Sequence, residues 1–214
     1  MPLDDQTRQL DFPGAIIQVK IRRNFLVERM DTMRRFKQDT QKFKELVLFI
    51  SERCATDPNF GATKLNKILF LADFWSYAHS GEPITGVEYI RLPNGPAPRP
   101  LVPIRKEMIA NGELAIQETS LAKEMSRKRP VNLRSADLSL FTAAEIALVD
   151  QIIAMCGPAT ATRMSDYTHS WHGWIAAADQ ETIPYETVFI SDDPITPFEL
   201  ERGKELAKQH GWNV

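Results

Sequence analysis

The sequence predicts a mainly α-helical (α+β) fold in which helices pack around one central buried helix and a small antiparallel β-hairpin or sheet is added. Residues 63–78 are apolar on almost every side of a helical wheel, which is typical of a helix that others surround. Amphipathic helical patterns lie before and after this segment, and two short apolar-polar stretches between residues 114 and 134 indicate a hairpin. A chain of 214 residues with 43% hydrophobic residues can bury a substantial core.

Residues 1–38 are interpreted as an N-terminal arm with one short strand, and residues 39–214 as a single domain. In the arm, "AIIQVKIRR" alternates apolar with polar residues, as strands do. The start of the chain lacks a basic segment followed by an apolar one, and no run approaches the ~18 apolar residues of a membrane helix. We therefore expect a cytoplasmic protein that does not associate with membranes.

The first helix of the domain is predicted over "DTQKFKELVLFISERCATDP", where apolar residues recur at helical spacing. Asp39 or Thr40 is placed to cap its start, and Asp57-Pro58 ends it. Cys54 and Cys156 are far apart in sequence and lie in helical surroundings, so both are interpreted as buried thiols. Neither a disulfide framework nor a cysteine metal site is predicted.

The central helix, within "GATKLNKILFLADFWSYAHSG", breaks two local rules. Lys64 and Lys67 lie in its first turn, where the helix dipole favours acidic residues. Asp73 lies among large apolar residues, where a carboxylate needs a hydrogen-bonding or cationic partner. Exceptions of this kind often mark functional positions.

A stretch rich in proline and glycine, "GEPITGVEYIRLPNGPAPRPL", follows the central helix and fits a short strand around Tyr89. Residues 94–96 form a predicted tight turn in which Gly95 takes a positive φ. The segment "LVPIRKEMIANGEL" predicts a helix that stops at Asn111-Gly112. "ELAIQET" and "KRPVNLR" then predict the two strands of the hairpin, connected by "SLAKEMSR".

Two capping boxes predict helices in the last third of the chain. Thr142 with Glu145 begins one helix, and Thr196 with Glu199 begins the other. Between them, "ATRMSDYTHSWHGWIAAADQETIPYE" predicts two short helices joined near Ser170 and followed by a turn.

Enzyme chemistry receives little support from the sequence. Asp166 and His169 would share a helix face, so a hydrolase that uses them is one hypothesis. His169 and His172 supply two metal ligands, whereas zinc needs three or four protein ligands. The chain contains neither a GxxxxGK[ST] loop nor a GxGxxG motif after a strand. We expect a protein that is not an enzyme and has no catalytic residues, cofactor or metal.

The basic hairpin supports an alternative function, a winged-helix-like regulator that binds nucleic acid. In this alternative Arg127, Lys128 and Arg129, within the hairpin of residues 123–134, contact phosphates. The net charge of −2 and the lack of a clear helix-turn-helix signal make nucleic acid the less favoured partner.

Two stretches, "KLNKILFLADFWSYAHSGEPITGVEYIRLPNGPAP" and "SDYTHSWHGWIAAADQETIPYE", carry a resemblance to a known family. In order, they contain a Lys-Leu-x-Lys helix running into an aromatic Ala-Asp segment, a Gly-x-Pro-Ile loop, a Gly-Pro turn, a Thr-His element, a tryptophan and Ile-Pro-Tyr. The chain thereby resembles the Panacea domain family, the SocA-like antitoxin domain, which is also phage-associated. The resemblance covers about residues 40–190, and Ala97 stands after the Gly-Pro turn where the family usually has valine.

The resemblance implies an antitoxin that neutralises a cognate toxin, encoded next to it, by direct protein contact. Family members neutralise toxins such as small alarmone synthetase-like proteins, and at least one resembles a proteolytic adaptor for the ClpXP protease. The resemblance brings no catalytic residues, and the sequence leaves the oligomeric state open. The acidic region 136–214 is one candidate contact surface. The candidate partner-binding residues are Lys64, Lys67, Asp73, Asn94, Gly95, Pro96, Arg99, His169 and Trp171.

Overall fold

The computed structural model describes residues 36–121 and 125–190, together with residues 194, 197, 200, 201, 204, 205 and 208. The predicted strand of the arm and the capping box of Thr196 and Glu199 lie outside the described residues. The division into an arm and one domain stays a prediction.

The described chain is mainly helical with short antiparallel strands, which confirms the predicted α (α+β) class. Its α-helices are α1 (Thr40–Arg53), α2 (Ala62–Ser80), α3 (Leu101–Ala110), α4 (Ala143–Cys156), α5 (Ala161–His169) and α6 (His172–Ala176). Its strands are β1 (Tyr89–Ile90), β2 (Ala97–Pro98), β3 (Leu114–Leu121), β4 (Met125–Asn132) and β5 (Thr182–Ile183). Two 3-10 helices cover Leu138–Leu140 and Tyr185–Phe189.

Helix α2 is the central helix that the sequence predicts. From Leu65 to Tyr77 every residue except Asn66 is buried. Helices α1, α4 and α5, strands β2 and β4, and the 3-10 helix after β5 all pack against it. Burial of each large apolar side chain contributes roughly 1.5–3 kcal/mol to the stability of the fold. The packing of α2 is therefore a main source of the stability of the core.

Local signals place the starts of α1 and α4 and the tight turn at Gly95 where the sequence predicts them, whereas α1 ends at Arg53, before the predicted stop at Asp57-Pro58. Asp39 caps α1 by accepting a hydrogen bond from the backbone N–H of Lys42 at 2.8 Å. Thr142 and Glu145 form the complete capping box of α4. Gly95 has a φ of +94°, as its predicted tight turn requires.

The sheets differ from the sequence prediction in two respects. In the hairpin, β3 and β4 pair from Leu114–Asn132 to Leu121–Met125, so most of "SLAKEMSR" is strand and not connection. Strands β2 and β5, which the sequence pattern does not predict, flank β1 in a second antiparallel sheet. Two-residue strands are too short to show an alternating pattern, so only their tertiary pairing defines them.

Among the described residues, no single helix is both long and apolar enough to cross a bilayer. Helices α4 and α5 are long and apolar enough only when they are taken together, and the chain bends by 111° between them.

Candidate functional site

The ammonium group of Lys64 joins the start of α2 to the end of α4. It lies 2.6 Å from Oδ2 of Asp57 and donates to the backbone carbonyls of Gly157 (3.0 Å) and Ala159 (2.9 Å). Gly157 is the C-cap of α4, where the helix dipole and unpaired carbonyls favour a cation. The lysine that is unfavourable at the start of its own helix therefore stabilises the end of another helix.

Lys67 lies where the two stretches that carry the family resemblance meet, residues 64–98 and 165–186, which are called the signature regions below. Its Nζ donates to the backbone carbonyl of Pro96 at 3.0 Å, and burial lowers the pKa of this amine to about 7. A Cβ atom on Gly95 would lie only 2.6 Å from this Nζ and 2.6 Å from Oγ1 of Thr168 on α5. The 94–96 turn therefore packs between Lys67 of α2 and Thr168 of α5.

Asp73 links α2 to the segment that leads into β1. The carboxylate accepts hydrogen bonds from the backbone N–H and the hydroxyl of Thr85, at 2.7 and 2.6 Å, and from the Tyr89 hydroxyl at 2.8 Å. The side chain is fully buried, and this burial raises its pKa to about 6 although the hydrogen bonds oppose the shift. The expectation that a buried carboxylate here has hydrogen-bonding partners is confirmed.

Asp73→Asn should change how stability depends on pH. Because the pKa of Asp73 is about 6 in the folded chain and ordinarily 3.8, the folded state binds this proton more tightly. The wild-type free energy of unfolding should therefore fall as the pH rises between these values, and this contribution should be lost in the variant. Urea unfolding of wild type and Asp73→Asn at several pH values in this range measures how the free energy of unfolding depends on pH. Asp166→Asn, which changes an exposed aspartate, is the control. If the free energy of unfolding changed with pH in the same way for wild type and Asp73→Asn, the prediction would be contradicted.

An aromatic corner attaches α5 and α6 to the body of the protein. Trp171 packs edge-on against Phe70 of α2, with ring centroids 5.0 Å apart. His169 stacks on Trp174 at a centroid distance of 4.1 Å, and the Arg91 guanidinium lies 4.4 Å from the centroid of the same ring. These contacts are worth roughly 0.5–1.5 kcal/mol each, so the corner is a packed structural joint.

Burial corrects part of the predicted partner-binding set. Asn94 and Arg99 are exposed, whereas His169 and Trp171 are half-buried in the aromatic corner. The other residues are buried, and the three with ionisable side chains bind groups of this chain, so none is an exposed contact in this conformation. The buried members of the set are Lys64, Lys67, Asp73, Gly95 and Pro96.

The basic hairpin binds the protein's own backbone. Arg129 donates to the carbonyls of Cys54 and Asp57, each at 3.0 Å, and Arg127 donates to the carbonyl of Pro58. Both arginines therefore stabilise the carbonyl-rich end of α1 and the turn after it, and their predicted contact with phosphates stays a prediction. Lys128 alone of the three predicted phosphate contacts is exposed.

The candidate catalytic residues differ in burial. Cys54 and Cys156 are buried free thiols, as predicted, and burial raises their pKa values to about 11 and about 12. Asp166 is exposed, while His169 stacks on Trp174. Within the described residues, no group of three or more His, Cys, Asp or Glu side chains is placed to hold a metal ion.

A family model described as "Antitoxin SocA-like, Panacea domain" matches residues 65–175, slightly more than half of the chain. The chain belongs to this family. The match to the Panacea domain includes Lys67, the 94–96 turn and α5, and it is shorter than the predicted span of about 40–190. No curated protein and no solved structure matches the chain. Membership of the Panacea family therefore rests on the sequence of this central region.

Proposed function

We propose that this chain is the antitoxin of a toxin–antitoxin pair and that it neutralises its toxin by direct protein–protein contact. The observation that carries the proposal is the match of residues 65–175 to an antitoxin family. Such a family implies a toxin as partner in general. In this proposal the toxin is encoded next to the antitoxin, both act in the cytoplasm, and no cofactor or metal is used.

The chemistry of the signature regions supports binding over catalysis. Lys64 and Asp73 each have several hydrogen-bond partners within this chain, and Lys67 is buried against the 94–96 turn. A catalytic acid, base or nucleophile must reach a substrate, whereas these groups are 1% exposed or less. We therefore infer that the chain is not an enzyme and that its signature polar residues shape a surface for another protein.

The exposed residues of the segment 94–99 offer candidate contacts for that protein. Arg99 follows β2, which begins directly after the 94–96 turn, and its Nε lies 3.0 Å from Oε2 of Glu88 and its Nη2 3.0 Å from the hydroxyl of Thr182. These contacts reduce the rotamer freedom of the guanidinium before a partner binds. Asn94 is exposed on the 94–96 turn, and its backbone carbonyl accepts a hydrogen bond from the Ser165 hydroxyl at 3.1 Å.

Co-expression with the protein encoded by the adjacent gene tests the proposal. The neighbour alone should arrest growth, and the chain should restore growth and co-purify with the neighbour. The double variant Asn94→Asp with Arg99→Glu should weaken the complex on the order of tenfold if these two residues together contribute about 1.4 kcal/mol to binding. Lys128→Glu on the exposed hairpin is the matched control for a surface charge change. A non-toxic neighbour, or a toxic one that neither binds nor is neutralised, would contradict the proposed function.

The same strains distinguish sequestration from proteolytic delivery. If the chain acts as an adaptor for ClpXP, toxin levels should fall only where that protease is present. If it sequesters the toxin, a stable complex and growth rescue should persist without the protease. Salt-sensitive DNA binding that is lost in Lys128→Glu would favour the nucleic-acid alternative instead.

A further inference from the structure

The hydrogen-bond register of the hairpin shows which backbone groups of β3 face away from β4. The backbone N–H of Leu133 donates to the carbonyl of Glu113 at 3.0 Å, which continues the antiparallel register of the strands. Hydrogen-bonded pairs alternate with non-bonded pairs in such a ladder. The N–H and C=O groups of Ile116, Glu118 and Ser120 therefore point outward from the hairpin.

The outward edge of β3 is unpaired within the parts of the chain that the structure describes. Its outward-facing groups form no backbone hydrogen bond to another element there. The side chains of Gln117, Glu118 and Thr119 are exposed, so this stretch of the edge is accessible. A free strand edge presents a row of donors and acceptors that another extended chain can pair with.

The two edges of the hairpin differ in how they are protected. Strand β4 packs against α1 and α2, and it has Pro130 at an outward-facing position, where the missing N–H prevents a further ladder bond. Strand β4 also carries three consecutive basic residues, Arg127, Lys128 and Arg129. Between residues 114 and 121, β3 has no proline, lysine or arginine, and Glu118 is its single charged residue. Strand β3 also packs against α3, but it has neither the outward-facing proline nor the basic residues of β4.

We propose that the free edge of β3 binds an extended segment of the toxin as an added strand, with a basic toxin residue opposite Glu118. This inference rests on the proposed function, because the occupant is the toxin. Main-chain hydrogen bonds would supply the affinity, and the exposed carboxylate of Glu118 would select the charge of the segment.

Charge favours a different protein over a second copy of this chain as the occupant. If two copies paired antiparallel over residues 116–120, Glu118 would lie directly opposite Glu118 of the other copy. Like charges directly opposite each other on paired strands are destabilising. A segment that carries lysine or arginine at that position would instead form a favourable cross-strand pair.

Proline at residue 118 tests the proposal. Glu118→Pro removes one outward N–H but no N–H that bonds to β4, so the hairpin should persist while the added strand is lost. Glu118→Ala is the matched control, because both variants lose the side-chain bond from Ser126 and only proline loses the N–H. With the full chain and the adjacent-gene protein, Glu118→Pro should weaken the complex on the order of tenfold or more, and Glu118→Ala by less. Circular dichroism and thermal unfolding check that both variants fold.

The outcomes separate this inference from the proposed function. If wild type and both variants bind the toxin equally, the edge is not the contact, although the proposed function stands. If wild type itself forms no complex, the proposed function fails. If wild type is a dimer in light scattering and Glu118→Pro is a monomer, a second copy occupies the edge and the inference is overturned. Hydrogen exchange that is already slow at Glu118 in a monomeric chain without toxin would overturn it too, because the chain's own residues would then cover the edge.

Discussion

Lys64→Met should lower the free energy of unfolding by about 3–5 kcal/mol, the usual cost of removing one partner of a buried ion pair. The side chain of Lys64 is 1% exposed, and its loss removes the cation from Oδ2 of Asp57 and the donor from two carbonyls at the end of α4, although Oδ1 of Asp57 keeps the N–H of Asn59. Methionine keeps the length and apolar volume of the lysine stem, so the change isolates the ammonium group. Urea unfolding of purified wild type and variant at neutral pH measures the difference.

Lys44→Met is the matched control for this measurement. Lys44 forms an ion pair of the same 2.6 Å length with Glu107, but the Glu107 side chain is 52% exposed. Exposed pairs contribute about 0–1 kcal/mol, so the control should lose much less stability. Equal losses in Lys64→Met and Lys44→Met would show that the buried contacts of Lys64 do not hold α2 to α4.

Gly95→Ala should destabilise the protein by about 2–5 kcal/mol, from backbone strain of roughly 1–2 kcal/mol together with overpacking of about 1–3 kcal/mol. Its φ of +94° is unfavourable for a residue with a Cβ. The added methyl would also lie 2.6 Å from both Nζ of Lys67 and Oγ1 of Thr168, which are buried and cannot swing into solvent. We expect the turn to shift and the contact between the signature regions to loosen.

Gly112→Ala separates strain from crowding. Gly112 also has a positive φ, +69°, but a Cβ there would have no atom within 4 Å. This variant should lose only the strain, roughly 1–2 kcal/mol. Thermal unfolding of the two variants side by side gives the comparison, and an equal effect would mean that Gly95 is required for its φ alone.

The sequence was sufficient to predict the central helix and most helix ends because these depend on local information. Apolar residues occur on almost every side of the helical wheel of α2, and a helix with this pattern is buried by its neighbours. Caps such as the Thr142–Glu145 box act within a few residues. The hairpin was predicted in place but with strands that were too short, because cross-strand pairing extends beyond the residues with high strand propensity.

The contacts of the signature residues could not be predicted from the sequence because they join distant segments. Lys64 binds carbonyls that lie more than ninety residues further along the chain. Its unusual place at a helix start indicated an important residue, but a charged side chain is usually exposed, and this led to the interpretation as a partner contact. For the same reason the sequence suggests phosphates as partners of Arg129, whereas in the structure it donates to carbonyls at the end of α1 and in the turn after it.

Amine labelling of the native chain tests most directly whether the signature lysines support the fold from within and leave partner binding to the outer surface. An acylating reagent at mildly alkaline pH should modify exposed Lys128 rapidly and leave Lys64 and Lys67 unmodified until the protein unfolds. Peptide mass spectrometry reads each site separately. Labelling of Lys64 and Lys67 in the folded chain at the rate of Lys128 would contradict this account.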